Sequence, residues 1–240
     1  MLHLPRTFLL AWSLWLLASW TQAFVLYLWG PPSNEAYGLA VQYLLFSVGL
    51  GTSVLWPMFR LGLGAVDRPG RIAAHDALAL IATLQVVVWP MHLLMPWTIE
   101  KILALDAFLC IWAGIVGATI AFWLHFEAPW TRSAGMIAAL TLSVSAPVLF
   151  VLSNQGSLAA ATELLHWSPV SGAWIMGRRS DTTPPAAEWW RIGFLGAAMT
   201  LAWIGVGLMD RNSDKALPPV ARRPQQRPAQ PVRPLPPLQT

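Results

Sequence analysis

The stretch that decides the fold class is residues 102–126, ILALDAFLCIWAGIVGATIAFWLHF. Within it, Asp106 is the only acidic side chain, and there is no lysine or arginine. A hydrocarbon core about 30 Å thick is crossed by roughly 20 helical residues, because each residue of an α-helix rises about 1.5 Å. The stretch is therefore long enough and apolar enough to form a transmembrane helix.

The composition of the whole chain agrees with this prediction. Its 240 residues are 56% hydrophobic and 11% charged, whereas a soluble domain has about 25% charged residues. The single cysteine, Cys110, excludes a disulfide framework and a cysteine-rich metal site. The 15 tryptophans are typical of a chain that meets the interface between lipid and water. We therefore predict an all-α integral membrane protein.

Five further apolar runs flank residues 102–126. The six predicted transmembrane spans are 7–29, 37–59, 77–97, 102–126, 134–153 and 192–209. The first run is longer than the apolar region of a signal peptide, and no clear cleavage site follows it, so we interpret it as a retained span. Pro90 and Pro96 predict kinks in the last turns of the third run. Residues 1–209 are thus predicted to form one six-span domain.

Residues 210–240 are predicted to form a basic, proline-rich tail on the cytoplasmic side. Residues 1–210 carry nine Lys/Arg and ten Asp/Glu, whereas residues 211–240 carry six Lys/Arg and one acidic residue. The excess of positive charge therefore belongs to the tail. A basic tail after a membrane span indicates the cytoplasmic face or contact with anionic lipid headgroups, and it does not indicate a nucleic-acid partner.

The distribution of Lys and Arg also predicts the orientation. With the N-terminus in the cytoplasm, eleven of these residues fall inside and four fall outside. Loops rich in Lys and Arg stay in the cytoplasm during insertion. We therefore predict that both the N- and C-termini are cytoplasmic and that the protein lies in the inner (plasma) membrane.

The segment between the fifth and sixth runs has a pattern of its own. Apolar side chains share one helical face at Leu158, Ala161, Leu164 and Leu165. Ser168–Pro169 interrupts this pattern, and an apolar turn restarts at 171–174. We predict a short amphipathic or re-entrant element at the outer surface; a simple interfacial loop is the alternative.

Three ionisable residues are candidates for a polar site in the outer half of the membrane. His92 is the one histidine predicted to lie within the hydrocarbon, and Glu100 and Asp106 lie near the start of the fourth span. Ionisable groups at such depth face protein or water and are candidates for function. The two acids are interpreted either as the mouth of a translocation path or as a solvated helix start. For His92 we favour a structural role.

Small residues recur every four positions on two of the predicted spans. They are Ala113, Gly117 and Ala121 on the fourth span, and Gly193 and Ala197 on the sixth. This spacing allows close contact between helices in lipid. The pattern does not distinguish contact within one chain from contact between two chains.

The layout resembles that of ABC exporter permeases of the type-2 family. The matching parts are the loop Arg60–His75 and the segment Ser157–Trp174, which contains His166-Trp167-Ser168-Pro169-Val170-Ser171. The resemblance is mainly one of topology and covers residues 7–209. It implies a permease without enzymatic activity, metal or cofactor, which forms a homodimer or joins other membrane subunits. It also implies a separate ATPase, for which we expect docking on Arg60, Arg68 and Arg71.

Two alternative functions follow from the same sequence. The first is a structural or accessory subunit of a larger membrane complex, since no dense group of polar residues stands out. The second is a haem- or quinone-binding redox subunit, for which the histidine pairs His75/His125 and His92/His166 provide candidate ligands. Any use of ATP requires another chain, because the sequence contains no Gly-x-x-x-x-Gly-Lys phosphate loop.

Overall fold

The computed structural model of the chain describes residues 6–29, 34–63, 68–95, 97–126, 128–153, 163–178 and 183–216. These residues contain helices and no β-strand. Six helices are long and apolar enough to cross a membrane, so the predicted all-α, multi-pass membrane fold is confirmed. The predicted tail from residue 217 onward lies outside the described residues.

The spans are numbered 1 to 6 in chain order. Spans 1, 3, 4, 5 and 6 are Arg6–Trp29, Pro69–Val88, Ile99–Leu124, Pro129–Ser153 and Ala186–Ala216. Span 2 is composed of Asn34–Leu50, a π-helical turn Gly51–Leu55 and Trp56–Gly62. Two shorter helices, Met91–Leu94 and Pro169–Arg178, lie between spans.

The bounds of several helices differ from those of the apolar runs that predicted them. Span 3 is Pro69–Val88 rather than 77–97, and span 6 is Ala186–Ala216 rather than 192–209. The loop predicted at Arg60–His75 is correspondingly wrong: most of it is helical, and the connector is 63–68. Proline suits the first position of a helix, because its missing N–H has no partner there anyway. Hydropathy therefore located the apolar part of each helix and not its ends.

Consecutive spans run in opposite directions, so the C-terminal end of one span lies at the same end of the bundle as the N-terminal end of the next. We call the end that contains Gly62, Pro69, Leu124 and Pro129 the inner end, since the charge count predicts that it is cytoplasmic. Phe8 of span 1 packs on Phe59 at this end, with ring centroids 5.6 Å apart. His125 and Asp210 also meet there. The beginning of span 1 and the end of span 6 thus lie at the same end, as both termini were predicted to do; which side of the membrane this is stays a prediction.

Spans 2 and 4 form the centre of the bundle. In each, 61% of the most apolar segment is buried, against 17% in spans 1 and 6. Span 4 contacts spans 2, 3, 5 and 6. Spans 1 and 6 therefore have most of their surface outside the bundle.

Span 1 is fixed to the bundle by two tryptophans. The indole of Trp12 donates to the hydroxyl of Thr83 in span 3 at 2.8 Å, and Trp12 is 1% exposed. The indole of Trp15 donates to the carbonyl oxygen of Ser47 in span 2 at 2.9 Å. An indole combines a large apolar surface with one donor, so each contact gives both packing and a hydrogen bond.

The helix Pro169–Arg178 is re-entrant. Its first residue packs on Gly49, near the middle of span 2, and its Gly177 packs on Gln42 and Leu45, nearer the outer end. The helix thus starts at mid-depth and runs outward, which confirms the re-entrant alternative. We call it the re-entrant helix. Ser168–Pro169 interrupts the helical pattern as predicted, since the helical turn at 163–165 ends before it, and it also begins the re-entrant helix; residues 154–162 of the predicted segment lie outside the described residues.

Candidate functional site

The start of the re-entrant helix is held by hydrogen bonds at mid-depth. The hydroxyl of Ser168 donates to the carbonyl oxygen of Ser143 in span 5 at 2.8 Å and accepts from the N–H of Val170 at 3.3 Å. The hydroxyl of Ser143 donates to the carbonyl oxygen of Ala139 in its own helix at 2.8 Å and also lies 3.4 Å from the carbonyl oxygen of Ser53 in span 2. All three serines are buried. Ser168 therefore caps the helix, and the three hydroxyl-bearing residues join spans 2 and 5 to it.

Gly49 determines how closely the re-entrant helix approaches span 2. A Cβ atom added at Gly49 would lie 2.8 Å from the carbonyl oxygen of Pro169 and 3.3 Å from the Cα of Val170. Both are backbone atoms, which cannot rotate away as a side chain does. At this separation of the two helices, position 49 accepts glycine alone.

Span 2 contains the π-helical turn Gly51–Leu55 just beyond Gly49. Three side chains donate to carbonyl oxygens in the turn before it. Trp15 donates to Ser47 at 2.9 Å, Thr52 to Val48 at 2.9 Å and Ser53 to Gly49 at 2.6 Å. A π-turn inside an α-helix often occurs at a functional site, because it interrupts the regular hydrogen bonding. The turn therefore marks the middle of span 2 as a position where the helix can change shape.

Arg60 and Asp76 form a buried ion pair at the inner end. The Arg60 Nε lies 2.8 Å from the Asp76 Oδ2, and the two side chains are 8% and 2% exposed. Trp56, one turn before Arg60, lies beside the same carboxyl. Because separating a buried pair leaves an uncompensated charge in the interior, this contact fixes the inner ends of spans 2 and 3 relative to each other.

Asp210 joins three spans at the same end. Its Oδ1 lies 2.8 Å from the Nε2 of His125, which directly follows span 4, and the Nδ1 of that ring lies 2.7 Å from the carbonyl oxygen of Ala121 in span 4. The carboxyl also packs directly over Gly70, in the first turn of span 3. The N-terminus of a helix carries partial positive charge, so an acidic group is favoured at this position. Both ring nitrogens of His125 are thus engaged within the chain.

The three arginines predicted to dock an ATPase have different environments. Arg60 is 7% exposed and is paired with Asp76. Arg68 and Arg71 are exposed at the start of span 3. Residues 64–67 of the connector lie outside the described residues. The docking prediction therefore depends on Arg68 and Arg71, and it stays a prediction.

Asp106 belongs to a hydrogen-bonded network in the outer half of the bundle. The side-chain amide of Gln85 in span 3 donates to the Asp106 Oδ1 at 2.8 Å, and the Cys110 Sγ lies 3.5 Å from the same oxygen. The indole of Trp89 donates to the Gln85 Oε1 at 2.7 Å. Asp106, Gln85 and Cys110 are partly exposed, so the network faces outward from the groove between spans 3 and 4. We call these four residues the Asp106 network.

The other two residues of the predicted polar site lie apart from this network. His92, in the short helix Met91–Leu94, is exposed, and its Nδ1 lies 3.2 Å from the carbonyl oxygen of Trp97. Glu100 is exposed in the first turn of span 4. The ammonium group of Lys101 lies over the Trp97 ring, 4.6 Å from its centroid. The structure therefore groups Asp106 with Gln85 and Cys110, and it does not group it with His92 or Glu100.

A small cavity lies at the outer end, between the re-entrant helix and spans 4 and 6. It is lined by Phe108, His166, Met176, Glu188, Arg191 and Ile192. Arg191 is paired with Glu163. The volume of about 10 Å³ is the space of one water molecule. Within the described part of the chain, no group of three or more His, Cys, Asp or Glu residues is arranged to hold a metal ion.

The small residues of spans 4 and 6 face different surroundings. Ala113 and Ala121 are buried, and a Cβ atom added at Gly117 would lie 3.0 Å from the Trp56 ring. In contrast, Gly193 and Ala197 are exposed, and a Cβ atom added at Gly193 would meet nothing within 4 Å. The repeat on span 4 is therefore used inside the bundle, whereas the repeat on span 6 faces outward.

The sequence did not indicate the residues that organise the mid-depth contacts. Ser53, Ser143 and Ser168 carry no charge, and each lies in or beside an apolar run. One signal was available: Ser168–Pro169 is a typical helix start, with a capping serine followed by proline at the first helical position. Asp76 and Asp210 lie at the edges of apolar runs, where acidic residues are usually solvated, so their positions did not predict contacts between helices.

Comparison with known protein families, curated proteins and solved structures gives no match to this chain. The fold defines a multi-pass helical membrane protein.

Proposed function

We propose that the chain is the membrane-spanning permease subunit of an ABC-type export system in which a separate ATPase subunit supplies the energy. The observation that carries this proposal is the re-entrant helix, which occupies the outer half of the space next to spans 2, 4 and 5. Six spans with a short element before the last one are also the basis of the resemblance to type-2 permeases. The chain would act as a homodimer in the plasma membrane.

The re-entrant helix packs against spans 2 and 4 in the outer half of the bundle. Its Pro169 packs on the backbone of Gly49, and its Gly172 packs on the ring of Phe108 in span 4. A permease alternates between two packings of its helices that differ by a few kcal/mol. In the proposed cycle, this helix moves away from spans 2 and 4 when substrate leaves on the outer side.

Span 2 provides a connection from the inner end to the re-entrant helix. An ATPase bound to Arg68 and Arg71 would displace the start of span 3, and the Arg60–Asp76 ion pair would transfer that displacement to span 2. The π-helical turn Gly51–Leu55 lies between Arg60 and the contact at Gly49. A rigid helix with one deformable turn can convert a displacement at one end into a change of packing at mid-depth.

In this proposal the chain performs no covalent chemistry. Hydrolysis of ATP takes place in the partner subunit, since the sequence has no phosphate loop of its own. The role of the chain is to hold two alternative packings whose balance is changed by the partner.

Charge reversal at the predicted docking site tests the proposal. The chain is purified from its native membrane in mild detergent, and its stoichiometric partners are identified by native mass spectrometry. Arg68→Glu combined with Arg71→Glu should reduce the amount of ATPase subunit bound at least tenfold, because two exposed attractive contacts become repulsive. Arg211→Glu is the matched control, because Arg211 is also exposed and belongs to span 6 at the inner end. Purification without any nucleotide-binding subunit would rule out the proposal.

A second experiment examines the movement of the re-entrant helix. Cysteines are placed at positions 143 and 168, because the hydroxyl of Ser168 donates to the carbonyl oxygen of Ser143 in this packing. The two thiols are then joined by a short bifunctional reagent. The joined protein should still bind the ATPase but should no longer export. Export at the normal rate after complete cross-linking would contradict the proposed opening.

The second candidate function is a structural subunit of a larger membrane complex. One observation favours it: the Asp106 network lies on an outward face of spans 3 and 4, where lipid offers no polar partner. Recovery of a stable hetero-complex that lacks an ATPase would support this function over a permease.

A further inference from the structure

The groove between spans 3 and 4 combines an apolar surface with one ionisable group. Leu78 of span 3 is 63% exposed and Leu103 of span 4 is 42% exposed, as expected for surfaces that meet lipid. Asp106 of span 4 is partly exposed and accepts a hydrogen bond from Gln85 of span 3. It is seven residues beyond Ile99, the first residue of span 4, which places it about 10 Å along the helix axis. An acidic side chain is thus present on an otherwise lipid-compatible face.

The hydrogen bonds that Asp106 makes leave one of its carboxyl oxygens open. Gln85 and Cys110 both approach Oδ1. Among the described residues, neither Oδ2 nor any other part of Asp106 forms an ion pair with a basic side chain. The ammonium group of Lys101, the basic residue nearest in sequence, lies over the Trp97 ring. The described part of the chain therefore orients this carboxyl and supplies no countercharge for it.

Acidic side chains within membrane spans are rare, and they pair with other groups of the protein or face water. A polar side chain on an outward face also associates helices in lipid, because the alternative is an unsatisfied group in hydrocarbon. From the exposed carboxyl, the missing countercharge and the apolar flanks, we propose that this groove binds a transmembrane helix of a partner protein that carries a lysine or arginine at the depth of Asp106. The proposal does not depend on the docking of an ATPase at the inner end.

A second copy of the chain is a poorer occupant of this groove. In a two-fold symmetric dimer, a surface patch meets the same patch of the other copy. A dimer whose two-fold axis passes close to Asp106 would place two carboxylates side by side, and these repel each other. A partner of opposite charge is therefore the better occupant of the groove.

Photo-cross-linking in the native membrane tests the proposal. A photoreactive amino acid is placed at Leu103 in the full-length chain, and a control chain carries it at Leu201, which is 69% exposed on the outward face of span 6. The Leu103 chain should form an adduct that the Leu201 chain does not form, and peptide mapping should place it in a partner span that contains Lys or Arg. Asp106→Asn should reduce the adduct at least tenfold, whereas Asp106→Glu should retain most of it. Replacing the basic residue of the partner with alanine should reduce it equally.

Several outcomes would overturn the inference. These are adducts with lipid only, adducts with another copy of the chain, a partner span without a basic residue, or an adduct that Asp106→Asn leaves unchanged. Adduct amounts are divided by the amount of chain present in the membrane. If the Asp106→Asn chain does not accumulate in the membrane, the test uses the partner whose basic residue is replaced with alanine. In that experiment this chain keeps Asp106, so loss of the adduct is due to the missing basic residue alone.

Discussion

The contact at Gly49 makes a quantitative prediction about the re-entrant helix. In Gly49→Ala, the new methyl group would lie 2.8 Å from the carbonyl oxygen of Pro169, so the helix must move outward by about half an ångström to reach ordinary contact. Such a shift strains the hydrogen bond from Ser168 to Ser143, which is 2.8 Å long. Overpacking of this kind costs about 1–3 kcal/mol.

Gly193→Ala is the matched control for this substitution. Both glycines lie inside spanning helices, but a methyl group at Gly193 would meet nothing within 4 Å. Replacing helical glycine with alanine favours the helix by about 1 kcal/mol, and this gain is common to both variants. The difference between them isolates the strain, and it should make Gly49→Ala less stable than Gly193→Ala by about 1–3 kcal/mol, or about 5- to 150-fold in the unfolding equilibrium.

The free energy of unfolding is measured by titrating mixed micelles with a denaturing detergent and following tryptophan fluorescence. Hydrogen exchange of residues 169–178 provides a local measurement, which should be faster in Gly49→Ala and unchanged in Gly193→Ala. If the two variants agree within about 0.5 kcal/mol and exchange alike, the close approach of the re-entrant helix to span 2 is refuted.

Three further predictions concern the ion pairs and His92. Asp76→Asn should destabilise the protein by about 3–5 kcal/mol, because it leaves the Arg60 guanidinium buried without a countercharge, whereas Asp76→Asn combined with Arg60→Met should recover much of this loss. Asp210→Asn should loosen the inner end of span 6, with a cost of about 1–3 kcal/mol and faster hydrogen exchange there than in the exposed control Arg211→Ala. His92→Leu should lower the yield of folded protein more than the export activity of each folded molecule, since the ring bonds to the backbone of the turn that leads to span 4.

Each of these expectations has a contrary outcome. If Asp76→Asn and the double variant Asp76→Asn with Arg60→Met are equally stable, the charge of Arg60 is solvated and not buried. Unchanged exchange in Asp210→Asn would mean that span 6 is held by apolar packing alone. A normal yield of His92→Leu together with lost activity would assign that histidine to the translocation path.

The apolar runs were sufficient to predict the number and type of the spans, because crossing a membrane is a local property of about 20 residues. The ends of the helices were not predictable in the same way. Span 3 contains Asp76 seven residues after its start at Pro69, and this acid is tolerated because Arg60 of another helix neutralises it. That pairing depends on the tertiary fold, which a window along the sequence does not contain.

The candidate sites show the same limit. Asp106 was recognised from its charge, but its hydrogen-bond donor Gln85 was not, because the contact joins residues 21 positions apart on two helices. The serines at mid-depth were missed because a hydroxyl in an apolar run has several common roles. For the repeat Gly193 and Ala197, the spacing predicted contact, and the structure places both residues on an outward face of span 6.

The re-entrant helix also constrains how the protein is made. Its ten residues extend about 15 Å, which is half of what a translocon recognises as a span. We therefore expect the segment to be left at the outer end during synthesis and to enter the bundle sideways afterwards. Spans 2, 4 and 5, which receive it, precede it in the chain and are complete before it emerges from the ribosome. Span 6 is therefore inserted after the re-entrant helix, when spans 2, 4 and 5, on which that helix packs, are already in place.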